Sequence, residues 1–228
     1  MNYKTLQQFV GDKAIEVISE TQVRVEGVVY TRHSNGGGFV ASTASVSDTA
    51  FVDQNAIVCD NARVHGNAWV YDNAQVYGNA RVYGNARVYG DAWVRGNARV
   101  YGDAWVRGNA RAYGNAKVFG NALMCDNAQV WGNAQVFGDA QVYDNAQVYD
   151  DARVFGDATV SDNAWVYDNA QVYGDATVYD NARVHAKANV YGKVRVCGDA
   201  QVSGSVWGCT GEQVSSSARA DEDAQSFE

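Results

Sequence analysis

A six-residue phrase, Ala-x-Val-aromatic-Gly/Asp-Asn/Asp, runs from Val40 to Val202 without insertion or deletion. The stretch NAQVYGNARVYGNARVYGDAWV, from Asn73 to Val94, shows it plainly. Val stands at every sixth residue from 40 to 202, 28 positions in all, with only Ala112 and Met124 departing from it. Ala lies two residues before each of these from Ala44 to Ala200, and Val194 is the single exception. Repetition this strict outranks local propensity in deciding the fold.

The phrase has a direct physical reading. Ala and Val, two residues apart, share one side of a short extended strand, and the residues between and after them point outward. Gly or Asp followed by Asn or Asp supplies residues that accept left-handed and turn conformations. Each unit is therefore a strand and a corner. One such strand cannot bury its inner face alone, so successive coils must stack into a β-solenoid. The coil length is also visible. In every third repeat the first corner residue is always Gly, from Gly66 to Gly192 at intervals of eighteen, whereas the other two corner columns mix Gly with Asp. Three hexapeptides make one coil.

The pattern aliphatic-x-x-x-small-x resembles the left-handed parallel β-helix hexapeptide-repeat superfamily. More narrowly, GGGFVASTASVSDTAFV (Gly36 to Val52) followed by the NAxVYG/D repeats is similar to phage and prophage proteins that carry an acetyltransferase label. The resemblance implies an all-β fold: a left-handed parallel β-helix, triangular in section, of about nine coils, with a small N-terminal α/β cap. At roughly 4.8 Å per coil the rod is on the order of 45 Å long. A fold of this kind does not fix a function.

Residues 1–38 lie outside the repeat and read as the N-terminal cap. Tyr3 to Ile18 reads as one short helix or two, and Thr21 to His33 as a strand or hairpin. Such a cap blocks the open strand edges of the first coil. The β-helix spans 39–205. Residues 206–228 read as a C-terminal cap, with Trp207 over the last coil and a disordered, Ser-rich acidic tail from about Ser215. The absence of Pro suits strands that must donate to neighbours on both sides. No stretch reads as a signal peptide or a membrane span, and Cys59, Cys125, Cys197 and Cys209 have no metal-site spacing. The expectation is a cytoplasmic protein, in the host cytoplasm if phage-encoded, with no membrane contact.

At eighteen-residue spacing one face carries the aromatic ladder Tyr83, Tyr101, Phe119, Phe137, Phe155, Tyr173 and Tyr191, with His65 before it. Beside it run Arg63, Arg81, Arg99 and Lys117, then Gln135, Arg153, Gln171 and Asn189. An apolar strip of that length exceeds what a monomer leaves in water. It predicts self-association through the rings and through Arg81, Arg99 and Lys117, as a parallel homotrimer or else a dimer. Cross-strand stacking of the rings is the plainer alternative. The same Arg and Tyr residues would suit a nucleic-acid backbone, but the net charge of −8 and the shortness of the basic stripe argue against nucleic acid as the partner.

Another corner column becomes acidic: Asp126, Asp144, Asp162 and Asp180. Stacked carboxylates attract hard cations, which makes these four the candidate metal ligands. Solvation, or capping by Asn127, Asn145, Asn163 and Asn181, is the plainer explanation. The superfamily includes acyltransferases with a His general base, and His65 is the candidate for that role; no cofactor is expected. No loop interrupts the repeat to wall off a pocket. The reading that follows is a non-enzymatic, phage-type rod that binds a host or virion protein. A hexapeptide acyltransferase with its site between subunits, and an inhibitor of a host defence or DNA-binding factor, are the alternatives.

Overall fold

The computed structural model describes residues 3–208, 213–215, 219–220 and 225–226. The chain is an all-β parallel solenoid of about nine coils with about eighteen residues per turn. Each coil contributes one short strand to each of three sheets, and strand partners differ by eighteen residues, as in Val76 with Val94 or Val100 with Val118. The three sheets form three faces. Face one, with Ile57, Gln75 and Trp93 in its outward column, has fourteen strands among the described residues. Face two carries the ring ladder and has eleven, and face three has ten.

The inward Ala and Val columns make one continuous core. From Ala50 to Val202 every one of these side chains is at most 1% exposed. The two departures from Val fall in one coil: Ala112 on face one and Met124 on face three flank Val118 on face two. A small side chain and a large one thus share a layer that elsewhere holds three valines, which keeps the summed volume close to that of its neighbours.

Corners are fixed by backbone conformation. Asp126, Asp144, Asp162 and Asp180 sit at φ between 55 and 59°, in the left-handed region that Asp tolerates. On face two the corner is wider, with Gly102 at φ 74°, and a Cβ there would stand 3.1 Å from the backbone N and O of Gly120 on the next coil. The mixed columns approach as closely, with a Cβ on Gly108 standing 2.9 Å from the Asp126 backbone, and nothing in the structure explains why the face-two column alone is unbroken Gly.

The first 38 residues close the N-terminal end. Helix α1 (Lys4–Val10) buries Leu6 against Val23, Tyr30, Phe39 and Ile57. The rest of the stretch read as helical instead contains strand β1 (Glu16–Val17), which pairs antiparallel with β2 (Gln22–Val25); β2 pairs with β3 (Val28–Arg32). Pairing with Arg24 and Val23 gives Glu16 and Val17 a partner that an isolated second helix would lack. β3 then lies antiparallel on β4 (Phe39–Ala41), the first face-one strand of the solenoid, so the hairpin covers that edge. On face three, the amide of Gly38 donates to the Val52 carbonyl and that of Val52 to the Asn35 carbonyl. Face two ends on Ser45–Val46.

Towards the C-terminus, strand segments Gln213–Val214, Arg219–Ala220 and Gln225–Ser226 continue the three sheets. The tail expected to be disordered thus includes paired strand segments; its remaining residues, and the side chain of Trp207, lie outside those described. Among the described residues no helix is long and apolar enough to cross a membrane.

Candidate functional site: the ladders of face two

Parallel, in-register stacking converts each column of the sequence into a physical ladder. On face two, Tyr83, Tyr101, Phe119, Phe137, Phe155, Tyr173 and Tyr191 form six successive ring contacts, with centroids 4.7 to 5.2 Å apart and planes within 6°. All seven expected interface rings are therefore brought together. They are half-buried rather than exposed, because each ring covers the faces of its neighbours. The apolar strip is correspondingly smaller than the sequence implied, and the rings offer the solvent their edges. Ring edges carry the positive lobe of the aromatic quadrupole. Among the described residues of the solenoid, the most exposed large apolar side chains are instead Trp69 (47%) and Trp105 (38%), both on face three.

Arg63, Arg81, Arg99 and Lys117 pair in register beside these rings. The three Arg are exposed and Lys117 is half-buried. Neighbouring cations on adjacent strands repel by about 1 kcal/mol in water. Among the described residues no ion pair offsets this: those present are Lys13–Glu26 and Arg24–Glu16, both in the cap. Other Arg are used differently. Arg87 lies over Trp105, Arg111 over Trp93 and Arg183 over Trp165, at 4.8 to 4.9 Å from the ring centroid. These cation–π pairs follow the eighteen-residue period but alternate Arg with Trp, and only that alternation could have shown them in the sequence.

The acidic corner column has a structural use. The carboxylate of Asp144 accepts the amide N–H of Asp162 (3.4 Å), Asp162 accepts that of Asp180 (3.3 Å), and Asp180 that of Gly198 (2.9 Å). Each Asp therefore ties its corner to the same corner one coil on. Asp126 accepts the Cys125 thiol (3.1 Å). Among the described residues no group of three or more His, Cys, Asp or Glu is placed to hold a metal. The Asn proposed as caps for these Asp form their own ladder, with Asn127 donating to Asn145, Asn145 to Asn163 and Asn163 to Asn181 at 3.1 to 3.4 Å. That ladder ends on Asp199, which accepts but has no amide to pass the bond on.

His65 stands beside Arg63 in a groove of about 320 Å³ lined also by Thr43, Ser45 and Asn61. Sequence reasoning singled out His65 but not the groove. The available signal was the small pair Ser45 and Ser47, standing in columns that later hold Arg and aromatic residues. Burial pushes the Cys125 thiol up to about 11 and raises that of Cys59 further, so neither is a ready nucleophile.

With this geometry in hand, comparison with known families is direct. A family model described as the YdcK beta solenoid repeat matches residues 56–72, 74–85, 80–96, 146–162, 152–168 and 170–186. This is a β-solenoid repeat protein. Its matched segments lie in the coils that carry the ladders of faces one to three. No curated protein matches the chain.

Proposed function

We propose that the chain is a rigid, non-enzymatic rod that works by binding proteins, another copy of itself among them, through face two. The observation that carries this reading is the unbroken ladder of seven stacked rings flanked by cations with no ion-pair partner among the described residues. A flat surface preorganised by strand pairing loses little side-chain entropy on association. Face two joins copies side by side as a parallel homotrimer, or else a dimer. The further partner is a host or virion protein. Light scattering on the wild type and on Phe137→Arg tests the self-association. A trimeric or dimeric mass that falls to the monomer in the variant supports the reading, and a monomeric wild type overturns it.

The groove beside His65 favours a second reading, an acyltransferase in which that imidazole is the general base. Acyl-CoA binding and turnover that disappear in His65→Ala would establish it. Turnover that persists in the variant would remove His65 from that role.

A further inference from the structure

The N-terminal end of face two differs from the rest of the rod in a way that points to a ligand. On later rungs its two outward columns hold Arg81 with Tyr83 and Arg99 with Tyr101; on the first rung they hold Ser45 and Ser47. That step from small to long side chains leaves the groove lined by Thr43, Ser45, Asn61, Arg63 and His65. All five bring polar groups to it, and no carboxylate lines it. None of the five side chains makes a hydrogen bond or ion pair to another described residue. The nearby Asp60 carboxylate is engaged by the amide of Gly78 at 2.9 Å.

Asn61 provides an independent observation. It follows Thr43 as the first Asn of a corner column whose later members are bonded one to the next: Asn79 donates to Asn97, Asn97 to Asn115, Asn115 to Asn133 and Asn133 to Asp151, at 3.0 to 3.2 Å. Asn61 stands apart from that ladder, and its amide is left at the groove.

We propose that this groove binds the terminal phosphate of a linear oligophosphate, and that Arg81 and Arg99 carry the phosphates that follow. The Arg63 guanidinium offers a planar fork suited to two phosphate oxygens. The Asn61 amide, the Thr43 and Ser45 hydroxyls and a ring N–H of His65 supply further donors. Arg81 and Arg99 continue from Arg63 at the strand spacing of roughly 4.8 Å. A linear chain of anions fits such an array, whereas one compact anion reaches only its first member. From Tyr101 on, both faces of each ring are covered by its neighbours, which confines any base stacking to Tyr83 at the groove end of the ladder. Arg81 and Arg99 also flank the rings of the proposed self-association face, so the two uses of face two compete, and the titration is run at a protein concentration where light scattering shows the monomer.

Isothermal titration of the full chain at low salt tests it, with inorganic phosphate, tripolyphosphate, ATP and citrate as probes. Tripolyphosphate should bind at least about tenfold more tightly than phosphate, through the added charge-assisted contacts. Equal affinity for ATP and tripolyphosphate means that the phosphate chain alone is recognised; tighter ATP binding means that a nucleotide is the ligand. Arg63→Gln and Asn61→Asp should each weaken tripolyphosphate binding about tenfold. Arg153→Gln, on the same face five coils away, should leave it unchanged. Both groove positions are on the surface, and unchanged melting temperatures would confirm that the variants fold. No heat with any phosphate, citrate binding as tightly as tripolyphosphate, or equal losses in Arg63→Gln and Arg153→Gln would each overturn the proposal.

Discussion

The coil containing Ala112, Val118 and Met124 gives a sharp test of how the core is packed. Ala112 is 1% exposed and Met124 fully buried, and both belong to the one continuous core. Replacing Ala112 with Val adds two methyl groups beside a Met that already fills the layer, an overpacking that costs about 1–3 kcal/mol. Replacing Met124 with Val leaves a void beside Ala112, at about 1–2 kcal/mol. Made together, the two changes restore three valines, the arrangement that neighbouring coils already accept. The double variant should therefore lie within about 1 kcal/mol of the wild type, with a coupling of about 2–3 kcal/mol between the sites. Urea unfolding followed by tryptophan fluorescence measures all four proteins on the same transition. At a slope of about 2–3 kcal/mol per molar, the coupling moves the midpoint by about 1 M. Strictly additive single and double effects would refute the claim that these two residues share a layer and compensate for one another.

Three further predictions follow from the corners and the cap. Gly102→Ala should destabilise the rod by about 1–3 kcal/mol in the same urea assay, since the new Cβ meets the Gly120 backbone at a φ of 74°; a neutral result would mean that coils can separate at no cost. Asn115→Asp should cost about 0.5–1.5 kcal/mol, because the new carboxylate still accepts from Asn97 but cannot donate to Asn133; equal stability would show that the exposed amide ladder contributes nothing. Burial first, and then nearby negative charge, raises the Tyr30 hydroxyl to about 12. Its folded value thus lies above the unfolded one, and the cap's stability is intact below pH 10 and falls between about 10 and 12. Ultraviolet titration of Tyr30→Phe against the wild type checks this, and loss of the cap at the same pH in both proteins would count against it.

The strand phrase, the three-repeat coil and the continuous Ala–Val core were all legible in the sequence. In a parallel solenoid, neighbours in space are eighteen residues apart in the chain, so reading down a column is reading a contact list. The same rule placed the face-two rings in one ladder and the cations beside them. What it could not supply was the state of each side chain within its column. The Phe119, Phe137 and Phe155 rings read as exposed because the sequence says only that they point outward; parallel stacking then covers their faces. Asp144, Asp162 and Asp180 read as a possible cation site, and the structure turns each carboxylate onto the amide of the next coil. The N-terminal strand β1 depended on a partner in β2 that no local pattern announces. The groove at Arg63 and His65 needed the short Ser45–Val46 strand and the taller rungs above it in one place. Sequence by itself determined the period, because burial of one face repeats with the backbone. Only the tertiary structure decided which polar and aromatic groups are left without a partner, because that depends on where each side chain turns once the coils are stacked.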